Sequence, residues 1–288
     1  MAEIAVLGAQ GQLGRQFLAV LGRRARGLGR AELDLGNADA IERTLRRLRP
    51  QVVINAAAFN DVDGAERRRQ QALAVNAEGP AELARLARTL GYRLVHFSTD
   101  YVFGGDRLRR PRRESDAPAP VNFYGYSKLL GEEAVLGAGA AALVVRVAHL
   151  YGGPSWSAGR ANLVERFLAR ARAGQPLVIT RGQTLNPTSV RDLVPAVLAL
   201  LRRRSAGLYH LTGSGPCAAA EFAREACRHA GLCAKIQWIS RDPRPARRAR
   251  YTPLANQRWS QEGLPPMPHW RSSLAEYLLS AQNLPIRD

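Results

Sequence analysis

The chain has 288 residues, 46% of them hydrophobic, which is enough for one large domain or two closely joined ones. Its 42 Lys and Arg against 24 Asp and Glu leave a net charge of +18, but the basic residues are spread along the chain, which argues against a nucleic-acid partner. No run of about 18 apolar residues exists, which argues against a transmembrane helix and a membrane partner. The N-terminus shows no basic segment followed by a cleavage site, so secretion is not expected. Cys217, Cys227 and Cys233 are loosely spaced and match no zinc pattern; they read as reduced thiols of a cytoplasmic protein, and no residue cluster justifies a metal site. Almost all the positive charge is arginine, with lysine only at Lys128 and Lys235. That bias fits a GC-rich coding sequence, or the steering of an anionic ligand such as a nucleotide diphosphate.

In chain order, Ile4 to Leu7 reads as a buried parallel strand. The turn Gly8-Ala9-Gln10-Gly11-Gln12-Leu13-Gly14 follows, and Arg15 to Leu21 reads as a helix. A strand, a Gly-x-x-Gly-x-x-Gly turn and a helix make a phosphate cradle, because the glycines let backbone approach a pyrophosphate at the helix N-terminus. A second strand is expected over Ala25 to Leu28. An acidic residue at its end would bind a ribose 2′-hydroxyl, whereas an arginine can pair with a 2′-phosphate. Gly29-Arg30 stand there, which leans towards NADPH with NADH possible. The turn Leu33-Asp34-Leu35-Gly36-Asn37 is placed to approach the adenine. Asp39 to Leu48 reads as a helix, and Val52 to Ala58 as a strand ending in Ala56, Ala57 and Ala58, small enough for a flat cofactor to lie against the backbone.

Ala72 to Leu90 reads as one long helix with Asn76 as a polar interruption. Leu94 to Phe97 is a strand that delivers Ser98-Thr99-Asp100 at its C-terminal end, where open α/β sheets bind ligands. An Arg- and Pro-rich loop spans Arg107 to Pro120. The helix Asn122 to Leu136 carries Tyr124 and Lys128, whose spacing of four puts them on one face. An ammonium beside a phenol favours the phenolate, so Tyr124 is expected to be a tyrosine made easier to ionise. A strand over Leu143 to Val147, a helix over Asn162 to Ala173 and a strand over Pro176 to Ile179 follow. Asn186 to Ser189 reads as a turn and N-cap before a helix from Val190 to Arg203. Gly207 to Leu211 is a strand and Ala218 to Ala230 a helix. Beyond Ala234 the pattern weakens into a basic loop, Arg241 to Tyr251, and a last helix from Trp270 to Leu279. The alternation predicts an α/β fold, a doubly wound parallel sheet, with a smaller C-terminal α/β part. The expected division is residues 1–150 for the dinucleotide, completed by segments around 186–215, and residues 151–288 mainly for substrate.

These residues together resemble the extended short-chain dehydrogenase/reductases, and within them the dTDP-4-dehydrorhamnose reductase family, over nearly the whole chain. The matching pieces are Gly8-x-x-Gly11-Gln12-Leu13-Gly14, Val53 to Ala58, Val62-Asp63-x-Ala65-Glu66, Val75-Asn76-Ala77, Phe97 to Phe103, Glu114-x-Asp116, Tyr124-Gly125-x-Ser127-Lys128 with Gly131-Glu132, Arg146, Tyr151-Gly152, Asn162 and Pro187-Thr188. The resemblance implies a Thr99/Tyr124/Lys128 triad, with Tyr124 giving a proton to a C4 keto oxygen, Thr99 bonded to that oxygen, and Lys128 holding the nicotinamide ribose. It adds Gln10 and Asn76 to the cofactor side. It places Asp100, Val102, Phe103, His149, Asn162 and Arg250 on the side of a nucleotide-sugar substrate, and a homodimer is compatible with it.

Several positions depart from the family pattern. Phe59-Asn60 stand for a Tyr and a Thr, Ala148-His149-Leu150 occupies the place of a Trp segment, Gly182-Gln183 and Leu185 depart before Asn186-Pro187-Thr188, and the family's Arg-Pro is at best Arg250-Tyr251. They fall on the substrate side. They keep two other readings open: a non-catalytic NADP-binding subunit like the regulatory subunit of methionine adenosyltransferase, and a nucleotide-sugar epimerase of the same superfamily.

Overall fold

A computed structural model describes residues 3–106, 108–139, 141–153 and 161–282. Met1 and Ala2, at the head of the expected first strand, and Arg107, in the expected loop, lie outside them. The first half alternates as expected, with two short helices, α3 and α4, added between the third strand and the long helix: β1 (Ile4–Leu7), α1 (Gln12–Leu21), β2 (Ala25–Leu28), α2 (Ala38–Leu48), β3 (Val52–Asn55), α3 (Val62–Arg67), α4 (Arg69–Leu73), α5 (Gly79–Leu90), β4 (Arg93–Thr99), α6 (Phe123–Gly137) and β5 (Ala142–Val147). The second half holds β6 (Leu150–Tyr151), α7 (Leu163–Arg172), β7 (Leu177–Thr180), β8 (Thr184–Leu185), β9 (Thr188–Ser189), α8 (Val190–Arg202), β10 (Gly207–His210), β11 (Cys217–Ala218), α9 (Ala219–His229), β12 (Ile236–Ile239), α10 (Gln257–Gln261) and α11 (Trp270–Gln282).

Six strands form one parallel sheet in the order β10-β5-β4-β3-β1-β2. Alternate side chains leave each strand on opposite faces. Ala5, Leu7, Val53, Leu94 and Val144 pack against Ile41 and Leu45 of α2, Leu83 of α5 and Val135 of α6. Val6, Ile54, Val95 and Val145 pack against Phe17 and Leu21 of α1 and Leu193 and Val197 of α8. Burial on both faces is why these strands read as apolar runs. A third cluster gathers Tyr151, Val164, Leu177, Phe222, Trp270 and Leu274 from the second half. The strand order reverses between β1 and β3, so the turns after these two strands face each other across a crevice at the carboxyl edge of the sheet.

Two expected elements are broken, each for a visible reason. The run 52–58 stops being a strand at Asn55, whose Oδ1 accepts from the N–H of Ala57 at 3.2 Å and takes that amide out of the ladder. The expected helix 72–90 is interrupted by a π-helical turn, Ala74–Glu78. There the buried Asn76 bonds the N–H of Phe59 (2.9 Å), the carbonyl of Phe59 (3.0 Å) and Ser127 Oγ (3.0 Å). Helix α6 presses on this turn: a Cβ on Gly131 would lie 2.0 Å from the Asn76 carbonyl oxygen. The sequence reading missed α3, α4, β12, α10 and the two-residue strands, which are too short to carry a period.

Candidate active site

The glycine turn after β1 is built by close approach. Gly8 has φ +72°, and a Cβ there would sit 2.7 Å from Ala57 N; a Cβ on Gly14 would sit 2.3 Å from the Gly8 carbonyl oxygen. Gly11 is the N-cap of α1 and offers no side chain to cap it. The first amides of α1 are therefore left to an anion, at the positive end of the helix dipole. Gln12 adds a buried Nε2 with no partner among the described residues. Leu13 is buried beneath, and the Gln10 side chain lies against Gly29 at the end of β2. This donor set fits a dinucleotide pyrophosphate. Gly14→Ala is expected to weaken dinucleotide binding about 10- to 100-fold by titration calorimetry, the equivalent of ~1–3 kcal/mol of overpacking.

At the far end of β2, Arg30 Nε lies 3.2 Å from Asp34 Oδ2, with both side chains open to solvent. Glu32 folds back so that its Oε2 accepts from the N–H of Gly29 at 2.9 Å. A basic and an acidic group thus flank this corner, where the sequence reading weighed Arg30 alone. Leu35 is buried under Gly79, while Ala56 and Ala57 are half-buried in the opposite wall of the crevice. Asn76 spends its side chain on Phe59 and Ser127, so it shapes this wall from behind.

Thr99 ends β4, and Tyr124 lies in the first turn of α6. Asn122 caps that helix, its Oδ1 accepting from Gly125 N at 2.8 Å. A Cβ on Gly125 would fall 2.1 Å from the Tyr101 carbonyl oxygen, so only glycine lets α6 come this close. The approach brings the Tyr124 hydroxyl close to Thr99, and its ring edge-on to Tyr101 at 5.6 Å. Thr99 Oγ1 donates to Asp100 Oδ1 (3.1 Å) and accepts from Tyr101 N (3.2 Å).

Lys128, one turn on and 2% exposed, has its Nζ 3.5 Å from His96 Nε2. Burial pushes its ammonium down to about 8, with Glu132 working the other way. The expectation for Tyr124 needs correcting. Burial drives its hydroxyl well above the ordinary tyrosine range; the Thr99 hydroxyl opposes this, and the charges of Asp100 and Tyr101 add to it. Desolvation of a phenolate outweighs the help expected from the lysine.

The residues expected on the substrate side separate into four groups. Asp100, 2% exposed, and His149 face each other, Oδ2 to Nδ1, at 3.8 Å; His149 sits in the left-handed region at φ 46°, and among the described residues its Nδ1 has no hydrogen-bond partner. With Tyr101, Phe103, Ala249 and Thr252, His149 borders a small cavity of about 10 Å³. Val102 and Phe103 pack with Leu254 as core. Asn162 caps α7 in a capping box with Glu165 and donates to Tyr277, which leaves it no free polar atom. Arg250 lines a cleft of about 840 Å³ but bonds the Ser240 carbonyl at 2.6 Å.

The chain matches the RmlD substrate binding domain family over residues 1–283. It belongs to this family. A dTDP-4-dehydrorhamnose reductase of Mycobacterium tuberculosis is 39% identical over 98% of this chain and 94% of its own. The crystal structure of a dTDP-4-dehydrorhamnose reductase ortholog from Clostridium acetobutylicum superposes with a TM-score of 0.91 at 33% identity, covering 97% of this chain and 99% of the other. The Bacillus anthracis dTDP-4-dehydrorhamnose reductase, solved in complex with NADP, gives a TM-score of 0.90 at 29% identity, covering 97% and 100%.

In this member of the RmlD substrate binding domain family, the sequence reading missed the residues of the basic loop that reach the site. Arg248 pairs with Asp63 on α3 (Nη2–Oδ2 2.7 Å) and lies within reach of Tyr101. Arg244, also in that loop, and Arg166 on α7 bring their charges to the same place. Thr252 Oγ1 donates to Asp100 Oδ2 at 2.5 Å. The signal was the density of arginine in residues 241–251, but nothing in a linear loop says which arginine turns inward.

Proposed function

We propose that this protein is an NAD(P)H-dependent reductase of the C4 ketone of a dTDP-linked 6-deoxy-4-keto sugar, acting in dTDP-L-rhamnose biosynthesis. The observation that carries this reading is the placing of Tyr124 beside Thr99, with Lys128 one turn along, at the mouth of a crevice between the glycine turn and the Ala56–Ala58 turn. The Gly8–Gly14 turn and the first amides of α1 hold the pyrophosphate, and Arg30 meets the 2′-phosphate. Lys128 faces the nicotinamide ribose. The cofactor, when bound, supplies the hydride. Tyr124 gives its proton to the C4 oxygen, which Thr99 also bonds. Tyr124 holds its proton near neutral pH and so has one to give, and the negative charge growing on the C4 oxygen draws it over. Asp100 and His149 face the sugar hydroxyls. Arg166, Arg244 and Arg248 converge on the side where the substrate diphosphate enters. The dinucleotide is assigned to residues 1–150 with 186–215, and the sugar nucleotide mainly to 151–288.

The free thiols fit a reducing compartment, so we place the enzyme in the cytoplasm and take a homodimer as its working state. Among the described residues no helix is long and apolar enough to cross a membrane. The deciding assay is NADPH or NADH oxidation, followed by absorbance, with dTDP-4-keto-6-deoxy-L-lyxo-hexose. Tight NADPH binding without turnover of this or any other keto sugar would overturn the reading. Arg30→Ala is expected to lower kcat/KM for NADPH about tenfold relative to NADH, as one charge-assisted contact to the 2′-phosphate is lost; an unchanged ratio would remove Arg30 from cofactor choice.

A further inference from the structure

Among the described residues, the polar atom within hydrogen-bond reach of Lys128 Nζ is Nε2 of His96. His96 is wholly buried on β4, and its other nitrogen, Nδ1, lies 3.1 Å from Nδ2 of Asn55. The Asn55 amide is oriented by its neighbour: Oδ1 accepts from the N–H of Ala57, so the NH2 group faces the imidazole. An NH2 group only donates, which makes Nδ1 the accepting, unprotonated nitrogen. Burial, joined by the charge of Lys128, holds His96 neutral. A neutral imidazole carries one hydrogen, and here it must be on Nε2, pointing at the lysine. Two donors therefore face each other in a dry site.

We propose that His96 is a positioning residue for Lys128: Asn55 locks it as the Nε2–H tautomer, and that N–H denies the ammonium an acceptor inside the sheet and turns it toward the cleft. The opposite tautomer would accept from Lys128 and hold it against β4. The same chain of contacts runs from Ala57, in the wall of the crevice, through Asn55 and His96 to the lysine. A proton is easier to remove from an ammonium that faces a donor, and this acts in the same direction as the burial that already lowers Lys128.

The groups around Lys128 come from every element packed on α6. That helix itself contributes Tyr124 and Glu132, and β5 contributes Arg146, which pairs with Glu132. The turn after β4 brings Asp100 and Tyr101, and Glu66 of α3 accepts from the N–H of Phe123. Arg69 of α4 lies over the Phe123 ring, the π-turn presents the uncharged Asn76, and Glu82 and Arg85 of α5 pair with each other. Of these, Glu132 acts on the lysine to retain its proton.

The inference uses the reductase reading only for the importance of Lys128, so its test does not depend on turnover. The chain has two lysines, and Lys235→Arg leaves a single side-chain amine signal when the full-length protein is labelled with ¹⁵N-lysine. Lys128 is expected to titrate about two units below an ordinary lysine, and the histidine ¹⁵N shifts are expected to show His96 protonated on Nε2. His96→Gln can turn its amide oxygen to Nζ, and should raise the Lys128 titration by about one unit or more. The alkaline limb of the kcat/KM profile should move with it, whereas a purely structural role would lower activity without moving the limb. A Nδ1-protonated His96, or an unmoved Lys128 titration in folded His96→Gln, would overturn the proposal. If that variant does not fold, the tautomer of His96 in the otherwise unaltered protein decides. If no keto sugar is turned over, the reductase reading fails while the titration and tautomer still decide this one.

Discussion

Tyr124→Phe is expected to lower kcat/KM for the keto sugar by on the order of a hundredfold or more, while leaving NADPH binding within about twofold. The substitution removes one hydroxyl and keeps the ring that sits edge-on to Tyr101, so the packing that holds α6 against the turn after β4 survives. What is lost is the proton donor. Thr99 does not replace it, because an aliphatic hydroxyl is a far weaker acid than a phenol and does not give up its proton near neutral pH. The split is therefore diagnostic: calorimetry should report an intact cofactor site and steady-state assays a crippled reaction. Near-normal turnover in this variant would mean that the proton comes from elsewhere, and Thr99, Asp100 and His149 would have to be reconsidered together.

Arg146→Leu is expected to destabilise the fold by about 3–5 kcal/mol, read as a fall in the urea midpoint. Arg146 on β5 meets Glu132 on α6 through Nε (2.9 Å to Oε1) and Nη2 (2.6 Å to Oε2), and both side chains are almost wholly buried. The guanidinium also lies 4.9 Å from the Phe103 ring centre and 3.3 Å from His210 Nε2. Burial, then the Arg146 charge, pushes His210 down to about 3, so this imidazole is neutral and accepts from the arginine. Removing Arg146 leaves Glu132 charged and unpaired between helix and sheet, and that desolvation sets the size of the loss. The double variant Arg146→Leu with Glu132→Leu should recover most of it, because an apolar pair of similar volume costs no buried charge. A single variant within about 0.5 kcal/mol of the parent would show that water reaches the pair.

The same carboxylate carries a second consequence. Glu132 acts on Lys128 as well as pairing with Arg146, so the two most buried cations of α6 and β5 share one anion. Variants at Glu132 should accordingly change both stability and the Lys128 titration, and are unsuitable as clean probes of either.

Much of this protein is legible in its sequence, and the reasons are local. Apolar runs such as Ile4–Leu7 and Leu143–Val147 can be buried on both faces only in a parallel sheet covered by helices, so the doubly wound class followed. Gly8 and Gly14 stand where a Cβ would strike backbone, and the spacing of Tyr124 and Lys128 is set by one helical turn. Backbone sterics and helical period are properties of short stretches, so composition and spacing reveal them. Tertiary structure decided what depends on partners far apart in the chain. It broke the expected helix 72–90 because Asn76 is claimed by Phe59 and Ser127. It drew Asn162 into a cap and turned Arg248, rather than Arg250, toward Tyr101. It also raised Tyr124 instead of lowering it, because a charge four residues away fixes only proximity, while burial and the direction of the ammonium fix the sign. His96 and Asn55 were invisible as site residues for the same reason: each is an ordinary strand residue until β3, β4 and α6 bring Ala57, the imidazole and Lys128 into one line.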